Sequence, residues 1–145
     1  MYVMNLKDLS SKVRVHARDF NHTIFRQSDI TMFLNEGIDR FQQTFPQLPE
    51  IPYLLFDTSE VEIIPKNYIH LLANYSVSRL FAQDERQYEA TTQMNEFEIK
   101  LNELKSQVES GEVVFLDLTG VAISDDSKLD YVTDVYFLNI PTKEV

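Results

Sequence analysis

The side chains best suited to metal binding or proton transfer near neutral pH are three histidines, His16, His22 and His70. None stands four residues from another, and no H-E-x-x-H occurs, so the spacing that lets two imidazoles grip one zinc from a helix face is missing. They are read as helix-surface or loop histidines, with His70 a hydrogen-bonded structural histidine in a buried helix. There is no cysteine, hence no thiol nucleophile, zinc–thiolate site or disulfide. No G-x-S-x-G, P-loop or G-x-G-x-x-G occurs, and three glycines, Gly37, Gly111 and Gly120, leave little material for a backbone phosphate cradle. Among the carboxylates, Asp117, Asp125, Asp126 and Asp130 miss the D-x-[DN]-x-[DN]-G order of a calcium loop and are read as an acidic turn. Glu96, Glu98 and Glu103 are read as a solvated helix face. Lys12, Arg14 and Arg18, the densest basic group, are read the same way, with a phosphate- or carboxylate-contacting patch as the second reading. The expectation is a protein that is not an enzyme and carries no cofactor and no metal.

Composition sets the frame for these residues. At 145 residues, with 43% hydrophobic and 12% aromatic content, the chain is long and apolar enough to bury one core unaided. A formal net charge of −10 argues against wrapping a nucleic-acid backbone, which needs clustered lysine and arginine. It is compatible with a surface that DNA slides past. The start of the chain lacks a basic region followed by an apolar run, and no stretch approaches the apolar length of a membrane span, so neither a signal peptide nor a membrane partner is expected.

Apolar periodicity predicts four helices. The first runs from about Asn5, a capping residue, to about Arg18, with Leu6, Leu9, Val13 and Ala17 on one face. The second starts at Ser28 as N-cap, carries Ile30, Phe33, Leu34, Ile38, Phe41 and Phe45, and ends at Pro46. Gly37 inside it costs up to about 1 kcal/mol against alanine, with close approach of another backbone as one explanation. Residues Gln47 to Ile64 are irregular, with a short strand over Val61 and Ile63. The third helix begins at Pro65 and is apolar nearly all round from Tyr68 to Ala82, which places it at the centre. Asp84 and Gln87 match a D-x-x-Q capping box, so a fourth helix starts afresh there unless the two form one kinked helix. Its seam is Met94, Phe97, Leu101, Leu104 and Val108, with Glu96 and Lys100 spaced as an ion pair, and Gly111 stops it.

Beyond Gly111 the character changes. Val113 to Leu116 and Val121 to Ile123 read as two short strands around Gly120. From Tyr131 to Leu138 both faces are apolar: Tyr131, Val135 and Phe137 on one, Val132, Tyr136 and Leu138 on the other. A surface strand of a monomer should alternate apolar with polar. Two readings stand: the segment packs back on the helices, or another chain completes it through an added strand or a groove. The expected architecture is mainly α: a small four-helix bundle over residues 1–111, with a β-hairpin and extended C-terminal arm over 112–145. The bundle should fold without the arm.

Several stretches carry a likeness to a known family. They are Ser28-Asp29-Ile30 leading into Phe33-Leu34-Asn35-Glu36-Gly37-Ile38-Asp39-Arg40, then Leu71-Leu72-Ala73, and Arg79-Leu80-Phe81-Ala82-Gln83-Asp84-Glu85-Arg86. Met94 to Glu98 and the acidic, aromatic Asp130 to Phe137 belong to the same pattern. In these the chain resembles the head–tail connector (adaptor) proteins of long-tailed bacteriophages. The likeness extends from about Leu6 to Phe137, and rests on packing and capping residues. It implies a non-enzymatic virion protein made in the host bacterial cytoplasm and located in the neck between head and tail. Such proteins join neighbouring copies of themselves in a dodecameric ring beneath the portal protein, extend the DNA channel, and support a stopper or tail-completion protein. Genomic DNA passes without specific binding. A C-terminal arm reaching the portal would give Tyr131, Val132, Val135, Tyr136, Phe137 and Leu138 the role of partner-binding anchors. The competing expectation is an unrelated small helical interaction module or regulator.

Overall fold

The computed structural model describes residues 4–115. Among them the protein is mainly helical, with four α-helices and no strand: α1 (Leu6–His16), α2 (Gln27–Thr44), α3 (His70–Gln83) and α4 (Gln87–Ser110). A single 3-10 turn, Lys66–Tyr68, precedes α3. Helix α3 packs against each of the others, most extensively against α4. Residues around its whole circumference are buried, from Leu71 to Phe81. The apolar stripes of the other helices close on it. Leu9 and Val13 come from α1, Leu34, Ile38 and Phe41 from α2, and Phe97, Leu101 and Leu104 from α4. Gly37 is where α2 meets α3. A Cβ there would lie 3.2 Å from Leu72 Cδ2 and 3.5 Å from Tyr75 Cβ, so glycine permits the close approach of the two helices.

The helix ends account for a chain with so few glycines. At the start of α1, Asn5 Oδ1 accepts from the Asp8 amide at 2.8 Å, as its sequence suggests. The amides of Leu6 and Lys7 donate to the carbonyls of Ser59 and Asp57, at 2.8 and 3.2 Å. At the other end, the Arg18 amide donates to Val15 and the Asp19 amide to Arg14, with Arg18 at φ 61°. That is a Schellman ending with arginine where glycine is usual. Helix α3 closes in the same way: Glu85 at φ 61°, its amide on Ala82 and the Arg86 amide on Phe81. Helix α4 uses Gly111 at φ 86°, with the Gly111 amide on Val108 and the Glu112 amide on Gln107. Left-handed backbone at a residue with a Cβ costs roughly 1–2 kcal/mol, so Arg18 and Glu85 must be held by what surrounds them.

Four expectations need correction. Asp84 does not cap α4; it is the C-cap of α3, with Glu85 turning the chain at the next position, and α4 begins after Arg86 without a side-chain cap. Helices α3 and α4 are therefore separate. Ser28 lies inside α2, which starts at Gln27, since the Arg26 carbonyl already accepts from the amides of Asp29 and Ile30, both at 3.1 Å. The short strand over Val61 and Ile63 is absent: one antiparallel bridge joins Asn5 to Glu60, and Ile63 at φ 75° turns the chain away. Glu96 accepts from Asn74 Nδ2 at 3.0 Å across the α3–α4 contact, and makes no ion pair with Lys100.

The core continues past Gly111. Phe115 is buried, with its ring edge-on to Phe41 and Phe45 at centroid separations of 6.1 and 5.1 Å. Val113 to Phe115 form no strand. The rest of the expected hairpin, and the six arm residues Tyr131, Val132, Val135, Tyr136, Phe137 and Leu138, lie outside the described residues.

Candidate interaction surface

Residues 45–65 cross the α2 face without regular structure, yet their backbone is fixed at many points. The fixing groups form a polar stripe on α2 at spacings of four and three: Asn35, Asp39 and Gln42. Asn35 binds Leu54 twice, its Nδ2 donating to the carbonyl at 3.0 Å and its Oδ1 accepting from the amide at 2.8 Å. Gln42 does the same across two residues, accepting from the Ile51 amide at 2.9 Å and donating to the Leu48 carbonyl at 3.1 Å. Asp39 accepts from the Tyr53 hydroxyl at 2.7 Å. That bond, together with the charges of Asp39 and Glu50, pushes the Tyr53 hydroxyl above its ordinary pKa. Leu48, Ile51 and Leu54 drop into the core between these fastenings.

The result is a held loop that turns apolar side chains outward. Leu55 is 68% exposed and Phe56 70% exposed, beside the exposed ring of Tyr53. Ser59 Oγ accepts from the amides of Leu55 and Phe56, at 3.2 and 2.9 Å, so the tip is closed on itself. Around the tip stand exposed Glu50, Asp57 and Glu60, and residues 41–65 contain no lysine or arginine. Large side chains kept in water on a fixed backbone suit protein contact, because less conformational entropy is lost on binding.

A second outward loop follows α1, and here a basic group reads differently from its sequence expectation. Arg14 is buried, not solvated. Its Nη1 lies 2.6 Å from Asp19 Oδ2 and donates to the Phe25 carbonyl at 3.0 Å. Asp19, with a fully buried side chain, also accepts from the amides of Thr23, Ile24 and Phe25 at 2.9–3.1 Å. Burial by itself raises the Asp19 pKa; the three amides and the guanidinium outweigh it and hold the carboxyl below the usual range. Arg14 and Asp19 occupy the two positions of the α1 ending that commonly make an apolar contact. The loop they hold presents Phe20, 67% exposed, and Ile24, 55% exposed, near exposed Arg18, His22 and Arg26.

Across α2, α3 and α4, Glu36 pairs with Arg79 at 3.3 Å and accepts from the Tyr75 hydroxyl at 3.3 Å. Arg40 grips both oxygens of Glu98, at 3.0 and 2.8 Å, so Glu98 is not a purely solvated carboxylate as its sequence suggests. Glu36, Asp39 and Arg40 line a depression of about 250 Å3 with Gln43 and Tyr75. Its acids and its arginine are engaged by one another or by neighbours, so the network fastens helices rather than offering a reactive group. Comparison with family models, with curated proteins and with solved structures found no match for this chain.

The histidines are not brought together. His16 and His22 are exposed on or after α1, and His70 opens α3. Burial, then the Lys100 ammonium, hold His70 below its ordinary pKa. Its Nε2 is buried without a hydrogen-bond partner, while a backbone hydrogen bond with Asn67 makes it the hydrogen-bonded histidine its sequence suggests. Among the described residues no group of histidines and carboxylates could hold a metal ion, and no helix is long and apolar enough to cross a membrane. The acids Asp117, Asp125, Asp126 and Asp130 lie outside the described residues. The sequence shows both segments as irregular, but not that they turn Phe20, Ile24, Leu55 and Phe56 outward. For the Leu55–Phe56 loop the signal was a polar stripe at 35, 39 and 42 beside the apolar one, and a stretch without lysine or arginine over residues 41–65.

Proposed function

We propose that this chain is a structural virion protein, a head–tail connector that joins copies of itself in a ring on the portal, extends the DNA channel and supports a stopper or tail-completion protein. Its architecture in this reading is a four-helix bundle carrying a C-terminal hairpin and arm. The observation that supports it is the anchorage of Phe115 between Phe41 and Phe45. The sequence that follows is thereby rooted at the end of α2, and Tyr131, Val132, Val135, Tyr136, Phe137 and Leu138 would act as a tethered docking element. Aromatic side chains at the centre of an interface supply much of its binding energy. The family resemblance gives the partner, the portal protein.

The competing reading, a small helical interaction module or regulator, draws support from the fixed Leu55–Phe56 loop, which suits a protein partner of any kind. Electron micrographs of the full chain mixed with the portal protein of the same virion separate the two. A connector adds a ring of density beneath the portal, and a chain with all six arm residues changed to serine does not. Complexes of one or two copies, or a portal left bare, would refute the connector reading.

A further inference from the structure

We infer that copies of this chain associate head to tail, the acidic Leu55–Phe56 loop of one subunit seating on the basic Phe20–Ile24 loop of the next. Both surfaces are apolar at the centre and charged at the rim, with opposite sign. The first has Tyr53, Leu55 and Phe56 ringed by Glu50, Asp57 and Glu60, in a stretch without a lysine or arginine. The second has Phe20 and Ile24 flanked by Arg18 and Arg26, with Val15 exposed nearby on α1. Between residues 9 and 28 the sole carboxylate is Asp19, and it is spent on buried Arg14. Arg26 reaches Asp29 at 3.4 Å with its own side chain 79% exposed, so its charge remains available. Glu89, the carboxylate whose field reaches Arg18 from α4, is already held by Arg86.

The two surfaces cannot meet within one molecule as they stand. The acidic loop is tied to the start of α1 through Ser59 and Asp57, while the basic loop follows its end, 11 residues or about 16 Å along the axis. Each therefore needs a second copy. Different patches meeting in this way make a heterologous contact, which repeats from subunit to subunit and closes into a ring when the rotation allows. Opposed charge at the rims fixes orientation and speeds encounter, and the apolar centres add the burial. Like-signed rims discourage the two-fold pairing of identical loops. The assignment rests on the ring reading for closure, and adds to it the surfaces through which neighbours touch.

Sedimentation velocity and light scattering on the full chain test it. The wild type should form oligomers that shrink when salt rises to about 1 M, where screening is complete within about 3 Å. Asp57→Lys with Glu60→Lys makes both rims basic, and Arg18→Glu with Arg26→Glu makes both acidic. Each double variant alone should stay monomeric, and an equimolar mixture should assemble again, since every junction in it pairs opposite signs. Circular dichroism checks folding, and Phe56→Ser or Phe20→Ser, which alter side chains about two-thirds exposed, should each weaken association by about tenfold or more. A wild type that stays monomeric up to about 1 mM, the weakest affinity of interest here, overturns the inference. So do charge-swapped or serine variants that assemble like the wild type, or a mixture that fails to assemble. Rings on the portal that form despite the swaps would remove these surfaces and leave the connector reading intact. Oligomers with the expected swap behaviour and no affinity for the portal would do the reverse.

Discussion

Replacing Asp19 with alanine tests how α1 is joined to α2. The carboxylate binds a buried guanidinium and three backbone amides, those of Thr23, Ile24 and Phe25. Its removal strands Arg14, whose side chain is 7% exposed, with no countercharge. Breaking a buried pair from one side costs about 3–5 kcal/mol, and the left-handed Arg18 loses the contact that closes its turn. Asp19→Asn keeps an acceptor but loses the charge, so a smaller cost is expected, about 1.5–3 kcal/mol for a charged hydrogen bond. Urea denaturation followed by circular dichroism at neutral pH reads both. A double variant with Arg14→Met and Asp19→Leu should recover only the part owed to the stranded guanidinium, because the amides of Thr23, Ile24 and Phe25 still lose their acceptor. The pH dependence has a fixed sign. The folded carboxyl titrates below its ordinary value of 3.8. Its stabilisation is thus fully present above that value and is lost as pH falls through the lower folded one. The wild type should lose stability in that acid window more steeply than Asp19→Asn. An Asp19→Ala protein within about 1 kcal/mol of wild type, or equal acid slopes for the two proteins, would refute the reasoning.

Three other outcomes follow from the packing and a fourth from the net charge. Leu72→Ala should cost about 2–5 kcal/mol and Phe97→Ala about 3–5 kcal/mol in denaturant melts, both side chains being fully enclosed between helices. Gly37→Leu should lower stability by about 1–3 kcal/mol by forcing α2 off Leu72 and Tyr75; a neutral effect would mean the two helices can part freely. A chain cut after Gly111 should be less stable than one cut after Phe115 by about 3–5 kcal/mol, the value of a buried phenylalanine, and equal melts would show that Phe115 adds nothing to the core. The full chain, at net charge −10, should show no salt-dependent binding to double-stranded DNA in a fluorescence titration at physiological salt.

Much of the helical framework was legible because helices announce themselves twice, in apolar spacing and at their caps. The stripes of α1, α2 and α4, the Asn5 cap, the Gly111 stop and the central place of α3 all follow from those signals. Gly37 was legible as a cost to the helix, while the neighbours that explain it, Leu72 and Tyr75 on α3, were not. The turns were harder. Arg18 and Glu85 adopt left-handed backbone with no compositional sign of it, since the hydrogen bonds that hold them come from the helix they end. Arg14 and Asp19 stand five apart, a spacing that does not pair within a helix, so their meeting depends on the turn between them. Asp84 and Gln87 had the letters of a capping box without its geometry. The clamp of residues 48–54 escaped notice because it joins side chains to distant backbone, and backbone has no letter in a sequence.

That clamp has a consequence for what the protein can become. Asn35, Gln42 and Ser59 hold main-chain atoms of Leu48, Ile51, Leu54, Leu55 and Phe56, and depend on none of the outward side chains. The tip residues Leu55 and Phe56 can therefore be exchanged while the shape of the loop persists. Contact specificity and folding are written in separate residues here, as in a binding scaffold whose variable positions sit on an invariant frame. A library randomised at Leu55, Phe56 and Thr58 should retain the helical signal and the melting behaviour of the parent while its members bind different targets.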